Sequence, residues 1–199
     1  MSRTAEVRRG APSATVVVRL AVDGRGRASA RTGVTTFDRL LESFAAHGRF
    51  DLDAEAVGAG AVDAHGVVVG TGTALGEAFA RALGAREVTR GIGAATVPVA
   101  GALVRAACDL RGPGLLAFHA APPAWQLVGD YDVALTPEFW QAFALASRVT
   151  LHLDLLRGEQ GRAVTEAVYA ATAHALAGAA ERDPRVADAA TSTGPEGRG

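Results

Sequence analysis

The sequence predicts an α/β (α+β) fold built from two duplicated halves. Three observations predict it. Short Val- and Leu-rich runs of strand character alternate with amphipathic runs of helical spacing. Each helical run stops at a glycine or gives way to a new strand. The whole pattern then recurs after a junction around Thr89 to Pro98, so each half reads as strands and helices in a similar mixture.

Taken in order, residues 14–23 (ATVVVRLAVD) have the β-branched content of a strand. Gly24 to Gly33 is a Gly/Arg turn region. From Thr36, apolar residues at Phe37, Leu40, Leu41, Phe44 and Ala45 repeat at helical spacing until Gly48. Phe50 to Val57 and Val62 to Val69 read as strands, and Thr71 to Leu83 as a helix closed by Gly84. In the second half, Leu103 to Leu110 and Leu115 to His119 read as strands. Thr136-Pro137-Glu138 has the order of a helix start: a capping hydroxyl, a proline at the first helical position and an acid near the dipole's positive end. That helix runs to about Arg148. Thr150 to Leu155 is a strand, and Ala163 to Ala180 a long Ala-rich helix. The expected organisation is an N-terminal segment (1–13), a first half (14–95), a second half (96–182) and a polar, Gly-rich tail (183–199).

Composition narrows the function classes. With 199 residues, 49% of them hydrophobic, the chain can bury a sizeable core. A formal net charge of −1 gives no general attraction to nucleic acid or to an acidic membrane surface. All the basic residues are arginines, which fits a GC-rich genome. The single cysteine, Cys108, excludes an internal disulfide framework and fits a reducing cytosol. Met1 to Ser13 carries arginine but no apolar signal-peptide core, and no long uncharged apolar stretch suggests a membrane span. A cytoplasmic protein with neither nucleic-acid nor membrane partners is expected.

Several segments, in order, resemble the imidazoleglycerol-phosphate dehydratase family. Arg31-Thr32-Gly33 with Phe37-Asp38-Arg39-Leu40-Leu41 resembles that family's TG…FFDHML segment, and His47-Gly48 with Phe50-Asp51-Leu52 continues it. Asp63 to Gly76 resembles D-x-H-H-T-x-E-D-x-G-I-x-L-G. Arg90-Gly91, Pro98 to Leu103 and Asp109 to Gly112 fall on further family segments. So do Gly129 to Asp132, Glu138-Phe139, Leu151 to Leu153 and Gly158 to Ala171. The resemblance spans residues 3–194. It implies that each half is a four-stranded sheet with two helices (ribosomal protein S5 domain 2-like). It also implies a homo-oligomer, a trimer or 24-mer, acting on a small-molecule substrate.

The resemblance further implies that paired divalent metals bind the substrate's imidazole as Lewis acids. Of the implied ligands, His65, His152 and Glu166 remain, whereas Arg39, Gly66, Val69, Arg162 and Ala163 stand at the others. A guanidinium has no lone pair to donate and repels a divalent cation, so neither a metal nor any other cofactor is expected. On the substrate side, Ala100, Gly101, Pro113, Ala170 and Thr193 replace charged family residues, leaving Arg90 and Ser192.

The candidate catalytic residues are therefore His65, His152, Glu166, Arg39 and Arg162, with Arg90, Val69, Val99 and Asp38 as ligand-binding candidates. Each has a plainer reading. Arg162 and Glu166 stand at i,i+4 and form an ordinary helical ion pair. The two histidines satisfy neighbouring backbone groups, and Asp38 pairs with Arg39. Cys108 belongs to the core, the aromatic residues Trp125, Trp140, Phe139 and Phe143 either to the core or to a contact surface, and His47 is structural. The favoured expectation is a metal-independent, repurposed lyase, isomerase or cyclase of specialised metabolism acting on a less polar molecule. A non-catalytic oligomeric binding or partner protein stands second, and an authentic dehydratase of histidine biosynthesis third.

Overall fold

The computed structural model describes residues 3–10, 14–58, 63–120 and 127–185. The elements follow the same order twice. The first half contains β1 (Thr4–Gly10), β2 (Thr15–Ala21), β3 (Ala28–Arg31), α1 (Thr35–Gly48), β4 (Asp51–Val57) and α2 (Ala64–Leu83). A short 3₁₀ turn at Arg86–Val88 leads into the second. That half contains β5 (Ile92–Val99), β6 (Ala102–Asp109), β7 (Leu115–His119), a two-strand ribbon of β8 (Leu127–Val128) and β9 (Tyr131–Asp132), α3 (Leu135–Ser147), β10 (Thr150–Arg157) and α4 (Gly161–Ala180).

The two large sheets are built alike, with strand orders β1-β2-β4-β3 and β5-β6-β10-β7. In each, the first two pairings are antiparallel and the last is parallel. The parallel pairing requires a crossover, which α1 supplies between β3 and β4 and α3 supplies between β7 and β10. Each sheet buries one face. Val16, Val18 and Leu20 of β2 point inward while Arg19 points out; Leu151 and Leu153 of β10 point inward while His152 points out. The helices lie between the sheets, with α1 and α2 against the first and α4 and α3 against the second. Across the middle, α1 packs on α4 and α2 packs on α3, so one core runs through both halves.

Local chemistry explains the helix ends. In α1 the predicted stripe Phe37, Leu40, Leu41, Phe44 and Ala45 is buried, and Arg49, at φ 55°, closes the helix in a left-handed turn. Arg148, at φ 54°, closes α3 in the same way. The helix α2 begins seven residues before the predicted Thr71 start, overturning the expected Val62–Val69 strand. Asp63 caps it by accepting from the Gly66 N–H at 3.1 Å, and Val67 and Val68 are both buried along it. Thr71 and Thr73 sit inside the helix and return their hydroxyls to the Val67 and Val69 carbonyls at 2.7 and 3.0 Å. Thr136 is likewise not a cap. The N-cap of α3 is Ala134, and buried Thr136 meets the Tyr131 hydroxyl at 3.1 Å.

Two strands lie where none was expected: β3, in the Gly/Arg turn region, and β1, in the segment expected to stand apart from the first half but paired with β2 as an edge of its sheet. The junction around Thr89 to Pro98 is largely strand β5. Trp125, Ser192, Thr193 and most of the polar tail lie outside the described residues.

Candidate functional site

The pocket that gathers the most sequence-predicted residues lies between α1 and α4 and has a volume of about 350 Å³. On α1, Thr36, Arg39, Ser43 and His47 follow one another at spacings of three and four, which places them on a single helical face. This face is adjacent to the buried stripe, so the residues that pack the helix also aim the site. On the facing side, the first turn and a half of α4 presents Arg162 and Glu166. Val99, at the end of β5, and Gly129, beside the β8–β9 ribbon, close the rim.

The electrostatics follow from who is partnered. Arg162 donates from Nε to Glu166 Oε1 at 2.9 Å, the predicted i,i+4 pair. Arg39 has no ion pair among the described residues, because the expected partner is engaged elsewhere. Asp38 accepts from the Thr32 N–H at 2.8 Å and the Thr32 hydroxyl at 2.6 Å, fixing the turn before α1. Asp130 accepts from the N–H groups of Thr35 and Thr36 at 2.6 and 2.8 Å, at the positive end of α1. Those bonds, the Thr36 N–H foremost, hold its carboxyl down at about 2. At the other end of the pocket, His47 Nδ1 lies 3.2 Å from His174 Nε2. Burial foremost, then the His47 and Arg49 charges, lowers the His174 pKa.

The other candidates are placed apart. His65, in the first turn of α2, meets Glu138 of α3 at 2.5 Å and is exposed. His152 is exposed on the outer face of the second sheet, two residues from Asp154, which binds Arg105 at 3.0 Å and His119 at 3.4 Å. Arg90 pairs with Glu181 at 3.0 Å. Val69 is half-buried on α2. The structure thus brings together Arg39, Val99, Arg162 and Glu166, and leaves His65, His152, Arg90, Val69 and Asp38 outside that pocket. Sequence reasoning missed Thr36 and Ser43 and set His47 aside as structural, although their helical phase with Arg39 was readable. A wider depression of about 760 Å³ covers the outer face of the first sheet, but its Arg19 is already bonded to Glu6 and Asp53, each at 2.9 Å.

The pocket is also more polar than expected. Ala163 and Ala170, which stand at implied ligand and substrate positions, are buried on α4, and the ligand-binding candidate Val99 lines the pocket. The residues do not fit a divalent metal. The pocket offers one carboxylate, Glu166, already bonded to one guanidinium with a second beside it. Among the described residues, no three His, Cys, Asp or Glu side chains converge on a common point.

Fold and site together define an α/β protein of two duplicated halves with a charged cleft where the halves' helices meet. A family model described as imidazoleglycerol-phosphate dehydratase matches residues 32–176. The chain belongs to that family. It is 43% identical over 192 residues to the imidazoleglycerol-phosphate dehydratase of Aromatoleum aromaticum, covering 96% of this chain and 97% of that one. It is 40% identical over 192 residues to that of Gluconacetobacter diazotrophicus, covering 96% of each. The crystal structure of the Staphylococcus aureus enzyme superposes with a TM-score of 0.81 at 26% identity, covering 90% of this chain and 99% of that one. These likenesses overturn the favoured expectation of a repurposed lyase, isomerase or cyclase of specialised metabolism. About two-fifths identity with named dehydratases from end to end outweighs the substitutions at the implied ligand positions.

Proposed function

We propose that this protein is a dehydratase of histidine biosynthesis, a lyase that removes water from a phosphorylated imidazole glycerol, working as a cytosolic homo-oligomer. The observation that supports this most is the near full-length identity to dehydratases of that name. No helix among the described residues is long and apolar enough to cross a membrane.

Loss of water breaks a C–H and a C–O bond: the proton goes to a base, and the departing hydroxide must be protonated. The chain's own residues supply parts of this. Glu166 is the carboxylate within the pocket and can hold a proton. Arg162 fixes its orientation through the 2.9 Å bond, and Arg39 faces the same space with its charge unspent. Because the pocket residues do not fit a metal, no step is assigned to one.

Two experiments test the proposal. The gene should restore growth without histidine to a strain lacking this dehydratase. Purified protein should form the dehydrated product from imidazole glycerol phosphate, and Glu166→Gln should lower turnover by about a hundredfold or more, the scale of a lost proton-transfer group. Absence of both growth and product, with protein that is folded by circular dichroism, would refute it.

A further inference from the structure

The β8–β9 ribbon is a hairpin that joins neither large sheet. Among the described residues its strands pair only with each other, Leu127 with Asp132 and Val128 with Tyr131. Gly129 and Asp130 form the two-residue turn between them. Gly129, at φ 63°, takes the left-handed conformation that such a turn asks of its first residue. A two-stranded ribbon by itself is marginal in water, so its place depends on what ties it down. Two anchors do so. Tyr131 is buried, with its ring stacked on Phe37 of α1 at 5.8 Å and its hydroxyl 3.1 Å from Thr136. Asp130, in the turn, accepts from the Thr35 and Thr36 N–H groups at 2.6 and 2.8 Å. The turn sits close on the helix, since a Cβ on Gly129 would lie 2.5 Å from the Thr36 hydroxyl oxygen. With both anchors made, Val128 becomes part of the cleft wall beside Arg162 and Glu166.

We infer that Asp130 is a positioning residue for the cleft: by docking the ribbon on the amino end of α1, it holds Val128 against the space beside Glu166 and so sets how tightly a small substrate fits. This rests on the reading of that cleft as the dehydratase site. The two anchors divide the task. Tyr131 fixes β9 in the core, whereas Asp130 ties the turn to the helix that presents Thr36 and Arg39. A carboxylate accepting two N–H groups at the positive end of a helix makes a strong tie. Asp130 is not itself among the residues lining the cleft, so it acts through Val128 and the first turn of α1 and takes no part in proton transfer.

Steady-state kinetics and backbone deuterium exchange on the full chain test this together. Asp130→Ala should raise KM for imidazole glycerol phosphate about tenfold, the scale of one lost charged hydrogen bond. It should leave kcat within about twofold, because Glu166 and Arg162 stand on α4 and keep their bond. Asp130→Asn, which keeps an acceptor oxygen of the same reach, should recover part of the loss in KM. Exchange in Asp130→Ala should quicken about tenfold or more at Thr35, Thr36 and Leu127 to Asp132. Along Ala170 to Ala180 of α4 it should match the parent, whereas a general loss of stability would quicken both regions. An unchanged KM in Asp130→Ala would overturn the inference, as would a ribbon that exchanges no faster than in the parent. If the parent turns nothing over, the dehydratase reading fails by itself. The exchange then decides: local quickening supports the clamp, and its absence overturns it.

Discussion

Adding a single methyl group at Gly76 should loosen the seam between the two halves. Gly72 and Gly76, one helical turn apart on α2, let its backbone approach α3 closely. A Cβ at Gly76 would lie 2.6 Å from the Phe143 carbonyl oxygen and 3.0 Å from both the Ser147 nitrogen and the Ala146 Cβ. Two of those three atoms are backbone, so relief requires moving a helix, not rotating a side chain. Overpacking of this kind costs roughly 1–3 kcal/mol, and backbone contacts favour the upper end. Alanine's better helix propensity returns about 1 kcal/mol. The net loss for Gly76→Ala is therefore about 2 kcal/mol, or a fall of roughly 4–8 °C in Tm for a chain of this size. Gly178→Ala in α4 is the matched control. Nothing lies within 4 Å of its Cβ, so the propensity gain of up to about 1 kcal/mol should appear unopposed. Thermal melts followed by circular dichroism read both. A Gly76→Ala protein as stable as the parent would show that α2 and α3 are not in the close contact described.

Two further outcomes follow from the charged and buried groups. Asp130, held at about 2 by the Thr36 and Thr35 N–H groups, binds its proton less readily folded than unfolded, where the pKa is about 3.9. Its stabilisation is therefore present above about pH 4 and lost as pH falls toward 2, so the Tm gap between parent and Asp130→Ala should close across that window; a gap independent of pH would contradict this. Burial pushes the Cys108 thiol up to about 12, and the residue is 4% exposed, so maleimide at pH 8 should label it only after denaturant is added.

Much of the fold was legible because buried elements advertise their period. The α1 stripe, the Val-rich β2 and the Leu151/Leu153 alternation of β10 each bury the predicted residues. What was missed lacked such a signal. In β1 only Val7 is buried, and β3 is four residues of small and charged character, so neither shows an apolar alternation. The Val67-Val68-Val69 run looked like a strand because β-branched residues favour one, yet burial against the first sheet overrides that preference. The Asp63 cap was the overlooked local cue. The site was half legible. Arg162–Glu166 and Arg39 were found by resemblance and meet in one pocket, whereas His65 and His152 answer to partners, Glu138 and the outer sheet face, that only the folded chain brings near.

The way the helices cross between halves has a consequence for how such a chain can arise. The first helix of one half rests on the second helix of the other, and the reverse contact is also made. That reciprocity is the signature of an isologous dimer, here joined by a covalent tether. A lone half would present a self-complementary helical surface and could hide it only by finding a twin. Fusing the twins frees the protein from that encounter, so its integrity no longer dilutes away with protein concentration, and each copy of the seam can then diverge independently.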